Sequence, residues 1–251
     1  MSGFSIDQPG AEARPSPNFG ERRDGAVPDM IVLHYTGMAT GQAAEDWLCN
    51  PASEVSSHYL VHEDGRIVQM VREADRAWHA GKSFWQGVAD INSCSVGIEI
   101  VNPGHALGYA RFPKRQVDAV TDLCAGIRDR HGIRPERVLA HSDIAPGRKI
   151  DPGEKFPWKR LFEAGIGHLV PASPVRRGPV LAEGDMGRSV EDVQTLLSLY
   201  GYGIDITGNF DERTRVVVEA FQRHFRPRKV DGVADGSTLR TLRRLLAAAA
   251  S

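Results

Sequence analysis

The first two thirds of the sequence predict an α/β or α+β fold built around a mostly buried β-sheet. Two observations carry this prediction: apolar, strand-like runs recur at 29–35 and 94–101, and an amphipathic helical pattern occupies 113–131. A third observation divides the chain, because the composition changes after residue 169 and only helical patterns follow. We therefore expect a sheet-containing domain followed by a small domain of three helices.

The N-terminal half contains five segments with the composition of strands or short helices. Residues 1–26 precede them and predict an irregular arm, because Pro, Gly and charged residues are frequent there. Asp64-Gly65 separates two strand-like runs and is typical of a tight hairpin turn. The expected elements are a strand at 29–35, a short helix at 43–49, hairpin strands at 58–63 and 66–71, and a strand at 94–101.

Residues 113–131 predict the longest helix of this part, since apolar side chains recur there at helical spacing. Gly132 follows directly and is a typical helix stop. A short strand at 137–141 then leads into a loop rich in Pro and Gly, and a short helix is expected at 159–164. The apolar stripe of the long helix comprises Val117, Val120, Leu123, Cys124 and Ile127.

The C-terminal part begins with residues 170–182, which predict a linker because Pro, Gly and Arg dominate them. Residues 183–251 predict three short helices, and Ser189 is the N-cap candidate of the first. This unit is small for a domain but able to fold if it is well packed. The helices are expected from Ser189 to Tyr200, at 214–225 and at 237–247.

The bulk properties exclude several classes of protein. The 251 residues carry a formal net charge of -1, which gives no electrostatic case for nucleic-acid binding. No window approaches the ~20 apolar residues of a membrane span.

The three cysteines cannot all pair and match no zinc motif, which favours a reducing compartment. With no secretory signal at the N-terminus, we expect a cytoplasmic protein, or a periplasmic or wall-facing one if a signal has been removed. Nothing in the sequence specifies an oligomeric state.

Three residues are candidates for a metal site. His34 and His141 lie at the ends of predicted strands, and Asp151 follows in the Pro- and Gly-rich loop. A catalytic zinc site typically has three protein ligands and one open position, and imidazole and carboxylate are suitable ligands. Taken singly, a strand histidine is more often structural, and the Asp151-Pro152 pair is also typical of a plain turn.

Glu99 interrupts an otherwise apolar strand. A carboxylate at such a position faces water, a partner or a functional cavity, because burying it unpaired would cost several kcal/mol. Partial desolvation raises the pKa of a carboxyl group toward the range useful for a general base. Glu99 is therefore a candidate catalytic base.

Five blocks of sequence, in this order, resemble the zinc-dependent N-acetylmuramoyl-L-alanine amidases of type 2, the AmpD-like group. The resemblance covers roughly residues 27–165, and the tail resembles the three-helix peptidoglycan-binding domain often fused to such enzymes. The tail departs from that pattern at 206–211, Ile-Thr-Gly-Asn-Phe-Asp, where an Asp-Gly pair is more usual. The five blocks are His34-Tyr-Thr, Ser57-His-Tyr, Ala77-Trp-His-Ala-Gly, Ser95-Val-Gly-Ile-Glu-Ile-Val-Asn and His141-Ser-Asp-Ile-Ala-Pro-Gly-Arg-Lys-Ile-Asp-Pro-Gly.

The resemblance implies a role for each site residue. His34, His141 and Asp151 would bind Zn²⁺. Glu99 would activate the water, and Lys149 would stabilise the oxyanion. Three further residues would line the substrate cleft: Tyr35, Trp78 and His79. The alternative is core packing for Tyr35 and Trp78 and a structural hydrogen bond for His79. Trp85 has the same two interpretations, sugar stacking or core packing.

The resemblance also implies an α/β fold with a central mixed β-sheet flanked by helices, as in peptidoglycan recognition proteins. The reaction of such an enzyme would be hydrolysis of the amide bond between N-acetylmuramic acid, or its 1,6-anhydro form, and the L-alanine of stem peptides. It would serve cell-wall degradation or recycling. The partners would be peptidoglycan fragments or muropeptides. The alternative is a non-catalytic peptidoglycan-binding protein, which the complete ligand set disfavours. The expected domains are the arm at 1–26, the zinc amidase domain at 27–169, the linker at 170–182 and the peptidoglycan-binding-like domain at 183–251.

Overall fold

The structure, a computed structural model, describes residues 4–249. The first three residues of the predicted arm and the last two of the predicted C-terminal domain lie outside the described residues. Across 4–249, no helix combines the length and the apolar character needed to cross a lipid bilayer. All three cysteines are free thiols, as the sequence predicts; Cys94 and Cys124 are buried and Cys49 is half-buried.

A six-stranded mixed β-sheet forms the centre of the N-terminal part. In spatial order its strands are β1 (Glu12–Ala13), β5 (Ile67–Gln69), β4 (Tyr59–Val61), β7 (Ser95–Ile100), β3 (Met30–Tyr35) and β8 (Val138–Ala140). The β4–β7, β7–β3 and β3–β8 pairs are parallel. The β5 strand is antiparallel to β4, and β1 is parallel to β5. The predicted central mixed sheet is confirmed.

The N-terminal arm is not irregular throughout, so that prediction is wrong in part. Its β1 strand extends the edge of the central sheet. A second strand, β2 (Phe19–Gly20), pairs antiparallel with β6 (Arg76–Ala77). The Arg22 guanidinium, also in the arm, donates hydrogen bonds to the buried backbone carbonyls of Glu73, Ser93 and Ser95. Two-residue strands are too short to show an alternating pattern, and their pairing depends on distant residues.

Both faces of the sheet are covered. In β3, Ile31 and Leu33 belong to the apolar cluster that includes the long helix α3 (Lys114–His131), whereas Met30 and Val32 belong to a different cluster on the opposite side. A strand buried on both faces is apolar at successive positions rather than at alternate ones. This explains the continuous apolar run of β3.

The α3 helix agrees closely with its prediction over 113–131. Gly132 ends it in the left-handed conformation, with φ at 64°, which glycine adopts at little steric cost. The predicted apolar stripe is buried throughout, at Val117, Val120, Leu123, Cys124 and Ile127.

Most shorter elements lie within two residues of their expected bounds. The α1 helix (Gly41–Leu48) is capped by Thr40, whose hydroxyl accepts the Ala43 N–H at 3.1 Å. In the hairpin between β4 and β5, Gly65 has a φ of 94°, as the Asp-Gly signal indicates. Two further helices are α2 (Ile91–Cys94), which was not predicted, and α5 (Trp158–Glu163).

The position of His141 differs from its prediction. The β8 strand ends at Ala140, and His141 begins a short helix, α4 (His141–Ile144), instead of ending the strand. The side chain of His141 therefore projects from the first turn of a helix that immediately follows the sheet.

The C-terminal part contains the three predicted helices, α6 (Arg188–Tyr200), α7 (Glu212–Phe225) and α8 (Gly236–Ala249). Ser189 is not the N-cap of α6, because Gly187 occupies that position. Within the predicted linker, β9 (Val180–Leu181) pairs with β10 (Ala234–Asp235), so the segment is partly ordered against the helices.

One apolar cluster joins the N-terminal and C-terminal parts. It contains Met30 and Val32 of the sheet, and it continues through Trp85 to Tyr202 and Phe221 of the three-helix unit. Trp85 is fully buried in this cluster, so its interpretation as core packing is correct. The three-helix unit therefore completes the core on the second face of the sheet.

Candidate active site

Three predicted ligand atoms meet at the end of β3. The Nδ1 atoms of His34 and His141 are 2.8 Å apart, and the Asp151 Oδ2 atom lies 3.0 Å from His141 Nδ1 and 3.2 Å from His34 Nδ1. All three side chains are buried. Ligands about 2.0–2.1 Å from a tetrahedral zinc ion would be separated by roughly 3.3 Å. These separations suit three ligands of one metal ion.

The orientation of the His141 ring is fixed by a backbone carbonyl. Its Nε2 atom lies 3.1 Å from the Ala80 oxygen. A carbonyl oxygen only accepts hydrogen bonds, so Nε2 carries the proton and donates it. In the neutral ring, Nδ1 is then unprotonated, and its lone pair points toward His34 and Asp151.

A chain of three hydrogen bonds fixes the His34 ring in the same way. The Ser95 hydroxyl donates to the Ile91 carbonyl at 2.6 Å, so its oxygen is free to accept from His79 Nε2 at 3.1 Å. His79 Nδ1 is then the acceptor for His34 Nε2, at 3.0 Å. As a result, the His34 Nδ1 atom carries no proton and presents a lone pair. Sequence analysis left His79 open between the substrate cleft and a structural hydrogen bond; the structure shows these hydrogen bonds and also places His79 on the cavity wall, but the sequence did not identify His34 as its partner.

These proton positions leave three acceptor atoms facing one another with no hydrogen between them. Burial, together with the nearby His141, lowers the pKa of His34 to about 4, so protonation of this ring at neutral pH does not relieve the repulsion. Two buried lone pairs beside a carboxylate are strongly unfavourable without a compensating cation. The residues therefore fit a metal cation at this point.

Glu99 lies beside the cluster with an unpaired carboxylate oxygen. Its Oε2 atom is buried and has no hydrogen-bond partner within residues 4–249. Burial raises the pKa of the Glu99 carboxyl well above its ordinary value; Asp151 raises it further, whereas Lys149 lowers it. An unpaired, desolvated carboxylate of this kind is suited to accept a proton from a water molecule.

A cavity of about 380 Å³ opens over the cluster. It brings together most of the residues that the sequence singled out. His34 does not line the cavity itself, but its ring contacts three residues that do, His79, His141 and Asp151. The predicted residues on its wall are Tyr35, Trp78, His79, Glu99, His141, Lys149 and Asp151. A cavity of this size is typical of small-molecule sites.

Two residues on the cavity wall were missed by sequence reasoning. Trp47, on α1, is 48% exposed and faces the cavity. Arg148 donates to the oxygens of Ala80 at 2.6 Å and Lys82 at 2.8 Å, so it anchors the carbonyl that orients His141. The only sequence signal for a role of Arg148 was its position next to Lys149 in the ligand loop, the Pro- and Gly-rich segment between His141 and Asp151. Nothing in the linear pattern of α1 distinguishes Trp47 from a packing residue.

Comparison with known proteins gives matches for both parts of the chain. A family model described as N-acetylmuramoyl-L-alanine amidase matches residues 24–154, and one described as putative peptidoglycan binding domain matches residues 186–242. The first match contains all of the predicted ligands and both predicted catalytic residues.

Two relatives and a solved structure of one of them show the extent of the similarity. The N-acetylmuramoyl-L-alanine amidase AmiD of Escherichia coli K12 is 38% identical over 227 residues, which cover 83% of this chain and 79% of AmiD. The 1,6-anhydro-N-acetylmuramyl-L-alanine amidase AmpD of the same organism is 34% identical and covers 61% of this chain and 90% of AmpD. A solved structure of E. coli AmiD with anhydro-N-acetylmuramic acid-L-Ala-D-γ-Glu-L-Lys superimposes with a TM-score of 0.74 at 35% identity, covering 92% of this chain and 98% of that one.

Proposed function

This chain belongs to the N-acetylmuramoyl-L-alanine amidase family and is such an amidase; on that premise we propose that His34, His141 and Asp151 hold its catalytic metal and that the metal is zinc. The single observation that carries the proposal is the meeting of His34 Nδ1, His141 Nδ1 and an Asp151 carboxylate oxygen about one point. Two histidines and one carboxylate are a ligand set found in catalytic zinc sites, with one position left open.

The reaction is hydrolysis of the amide bond between the lactyl group of N-acetylmuramic acid, or of its 1,6-anhydro form, and L-alanine. When bound, zinc lowers the pKa of a water molecule to about 7 and polarises the carbonyl. Glu99 would accept one proton from the attacking water while the water oxygen adds to the lactyl carbonyl carbon, which gives a tetrahedral oxyanion. The C–N bond would break as that oxyanion collapses, and Glu99 would return the proton to the nitrogen of L-alanine, so that the amine can leave.

Lys149 is the group we assign to the developing negative charge. Its side chain lines the same cavity as Glu99 and Asp151, and its ammonium carries the charge opposite to that of a tetrahedral oxyanion. Removal of one such donor typically lowers the rate about 10²–10³-fold. The residue thus has a catalytic role that does not require it to bind the metal.

The substrates we propose are muropeptides and related peptidoglycan fragments. The AmiD structure described above contains an anhydro-muramyl tripeptide, which is the kind of molecule expected here. In the cavity, Tyr35, Trp47 and Trp78 supply aromatic surface for the sugar ring. The C-terminal unit, which matches a peptidoglycan-binding domain, is proposed to hold longer wall fragments near this cavity.

Two predictions from the sequence remain predictions. One is the compartment, where three free thiols favour the cytoplasm. The other is the choice between soluble anhydro-muropeptides and polymeric peptidoglycan as the main substrate.

The proposal is tested by identifying the products. The purified enzyme is incubated with anhydro-muropeptides and, separately, with intact sacculi, each with and without a zinc chelator, and the products are analysed by mass spectrometry. We expect free stem peptides that begin with L-alanine, and their disappearance with chelator. Products cleaved at another bond, or equal yield in chelator, would contradict the proposal.

A further inference from the structure

A buried carboxylate connects the active-site loop to the three-helix unit. Asp143 is fully buried and lies two residues after His141, on the same short helix α4. Its Oδ1 atom accepts the Tyr202 hydroxyl at 2.7 Å. Its Oδ2 atom accepts His224 Nδ1 at 2.7 Å and the Ala140 backbone N–H at 2.8 Å. Two of the three donors thus come from the C-terminal unit.

This carboxylate fixes the start of α4 in two ways. The Ala140 N–H, directly before His141, is held by the Asp143 side chain, which is a helix-capping contact. The other two hydrogen bonds tie α4 to the C-terminal unit. A buried carboxylate that lost either donor would be costly to keep in place, since removing one partner of a buried charged hydrogen bond typically costs several kcal/mol.

The two donors are held rigidly. The His224 ring stacks on Trp158, with ring centroids 3.7 Å apart. The Tyr202 ring meets the buried Trp85 edge to face, at 4.9 Å. These packed rings restrict the positions from which Tyr202 and His224 can reach Asp143.

A further contact from the same unit reaches the ligand loop itself. Arg213 donates to the Pro146 carbonyl at 3.2 Å, between His141 and Asp151 along the chain. The C-terminal unit therefore touches both the helix that carries one ligand and the loop that leads to the other.

We propose that the three-helix unit is a structural component of the metal centre, in which Tyr202 and His224 act through Asp143 to hold His141 in its ligand position. This inference rests on the proposed metal site. Groups outside the ligand shell that orient ligands typically alter metal affinity 10–100-fold when they are removed. On this view the unit does more than bind wall polymer, and Asp143, Tyr202 and His224 are positioning residues.

The decisive comparison is between two matched tyrosine variants of the full chain. Tyr202→Phe removes the hydroxyl that donates to Asp143, whereas Tyr200→Phe removes a buried hydroxyl of the same apolar cluster that contacts His168 at 3.0 Å. For each variant, the zinc dissociation constant is measured by competition with a chelator, and the melting temperature of the metal-free protein by circular dichroism.

We expect Tyr202→Phe to raise the zinc dissociation constant at least about tenfold and Tyr200→Phe to leave it within about twofold, even if both lower the melting temperature similarly. Equal zinc affinity in the two variants would overturn the inference and leave a merely stabilising contact. If His34→Ala also bound zinc as the wild type does, the proposed metal site itself would fail, and the two failures are thus distinguishable.

His224 allows a second test that separates stacking from hydrogen bonding. His224→Phe keeps an aromatic ring on Trp158 but removes the donor to Asp143, whereas His224→Asn loses the ring and places an amide N–H near the position of Nδ1. We expect Asn to retain more zinc affinity than Phe. The opposite order would mean that ring stacking, and not the hydrogen bond to Asp143, matters for the metal site. Because Tyr202→Phe removes only one atom, its result stands even if a His224 variant does not fold.

Discussion

His34 and Glu99 are direct partners in the register of two parallel strands, β3 and β7. Parallel strands in register place side chains of paired residues at the same level and on the same face of the sheet. The metal-ligand candidate and the catalytic base are thus set side by side by backbone pairing alone. The apolar residues before them in both strands keep this part of the sheet buried.

Replacement of Glu99 by Gln separates catalysis from metal binding. The amide keeps the shape of the side chain but cannot accept a proton as a base does, so we expect turnover to fall by about 10²–10⁴-fold while the zinc content is unchanged. Product formation by liquid chromatography and zinc content by elemental analysis measure the two effects. The matched control is Glu63→Gln, at an exposed position of the hairpin turn. A Glu99→Gln enzyme that turns over normally would remove Glu99 from the mechanism.

Replacement of Ser95 by Ala interrupts the hydrogen-bond chain that orients His34. His79 Nε2 then has no serine oxygen to donate to, so the proton is no longer held on that nitrogen and His34 Nδ1 is not kept free. We expect zinc affinity to fall about tenfold, measured by chelator competition. Ser93→Ala is the control, since the hydroxyl of this buried serine bonds Asp90, Arg76 and the Arg23 backbone N–H and, within residues 4–249, makes no hydrogen bond to His79. Equal affinity in both variants would contradict the orienting role.

Replacement of Trp47 by Ala tests the aromatic wall of the cavity. Loss of a partly exposed ring that stacks on a sugar costs on the order of 1 kcal/mol, so we expect KM for an anhydro-muropeptide to rise several-fold with little change in kcat. Leu199→Ala, at an exposed apolar position of α6, controls for loss of surface hydrophobicity. A change confined to kcat would show that Trp47 does not act in substrate binding.

Glu73 contributes to the free energy of unfolding at neutral pH, and this contribution is lost in acid. Burial alone would raise the pKa of Glu73, but hydrogen bonds from Arg130, Tyr59 and His131 outweigh it and hold the pKa below its ordinary value. A carboxyl group with a lowered pKa stabilises the fold above its unfolded pKa, near 4.3, and this contribution is lost as the pH falls through the folded value.

We therefore expect Glu73→Gln to lower the free energy of unfolding by about 1–3 kcal/mol at pH 7, and the difference from wild type to shrink at pH 3. Urea unfolding at the two pH values measures it. A difference that is as large at pH 3 as at pH 7 would show that the effect is not due to the ionised carboxylate.

The sequence predicted the elements whose signal is local. The α3 helix and the β3 and β7 strands were predicted closely because their apolar patterns are long. His34, His141 and Asp151 were metal-site candidates from their positions at predicted strand ends and in the following loop, the family resemblance implied that they are ligands, and the structure brings them together.

The remaining features depend on contacts between residues distant in sequence. The β1 strand has only two residues and exists through its pairing with β5. The hydrogen bond between Asp143 and Tyr202 joins residues 59 positions apart, and no local pattern relates them. The change of composition at 170–182 predicts a linker, but it gives no sign that the helices beyond it pack into the core beneath the sheet.

The zinc content of the His34→Ala variant tests the central claim most directly. Wild type and variant are stripped with a chelator, reloaded with zinc, freed of excess metal and analysed for zinc per chain, with circular dichroism to confirm that the variant is folded. The account predicts one zinc per wild-type chain and a nearly complete loss in the variant. A folded His34→Ala protein that retains one zinc per chain would contradict it.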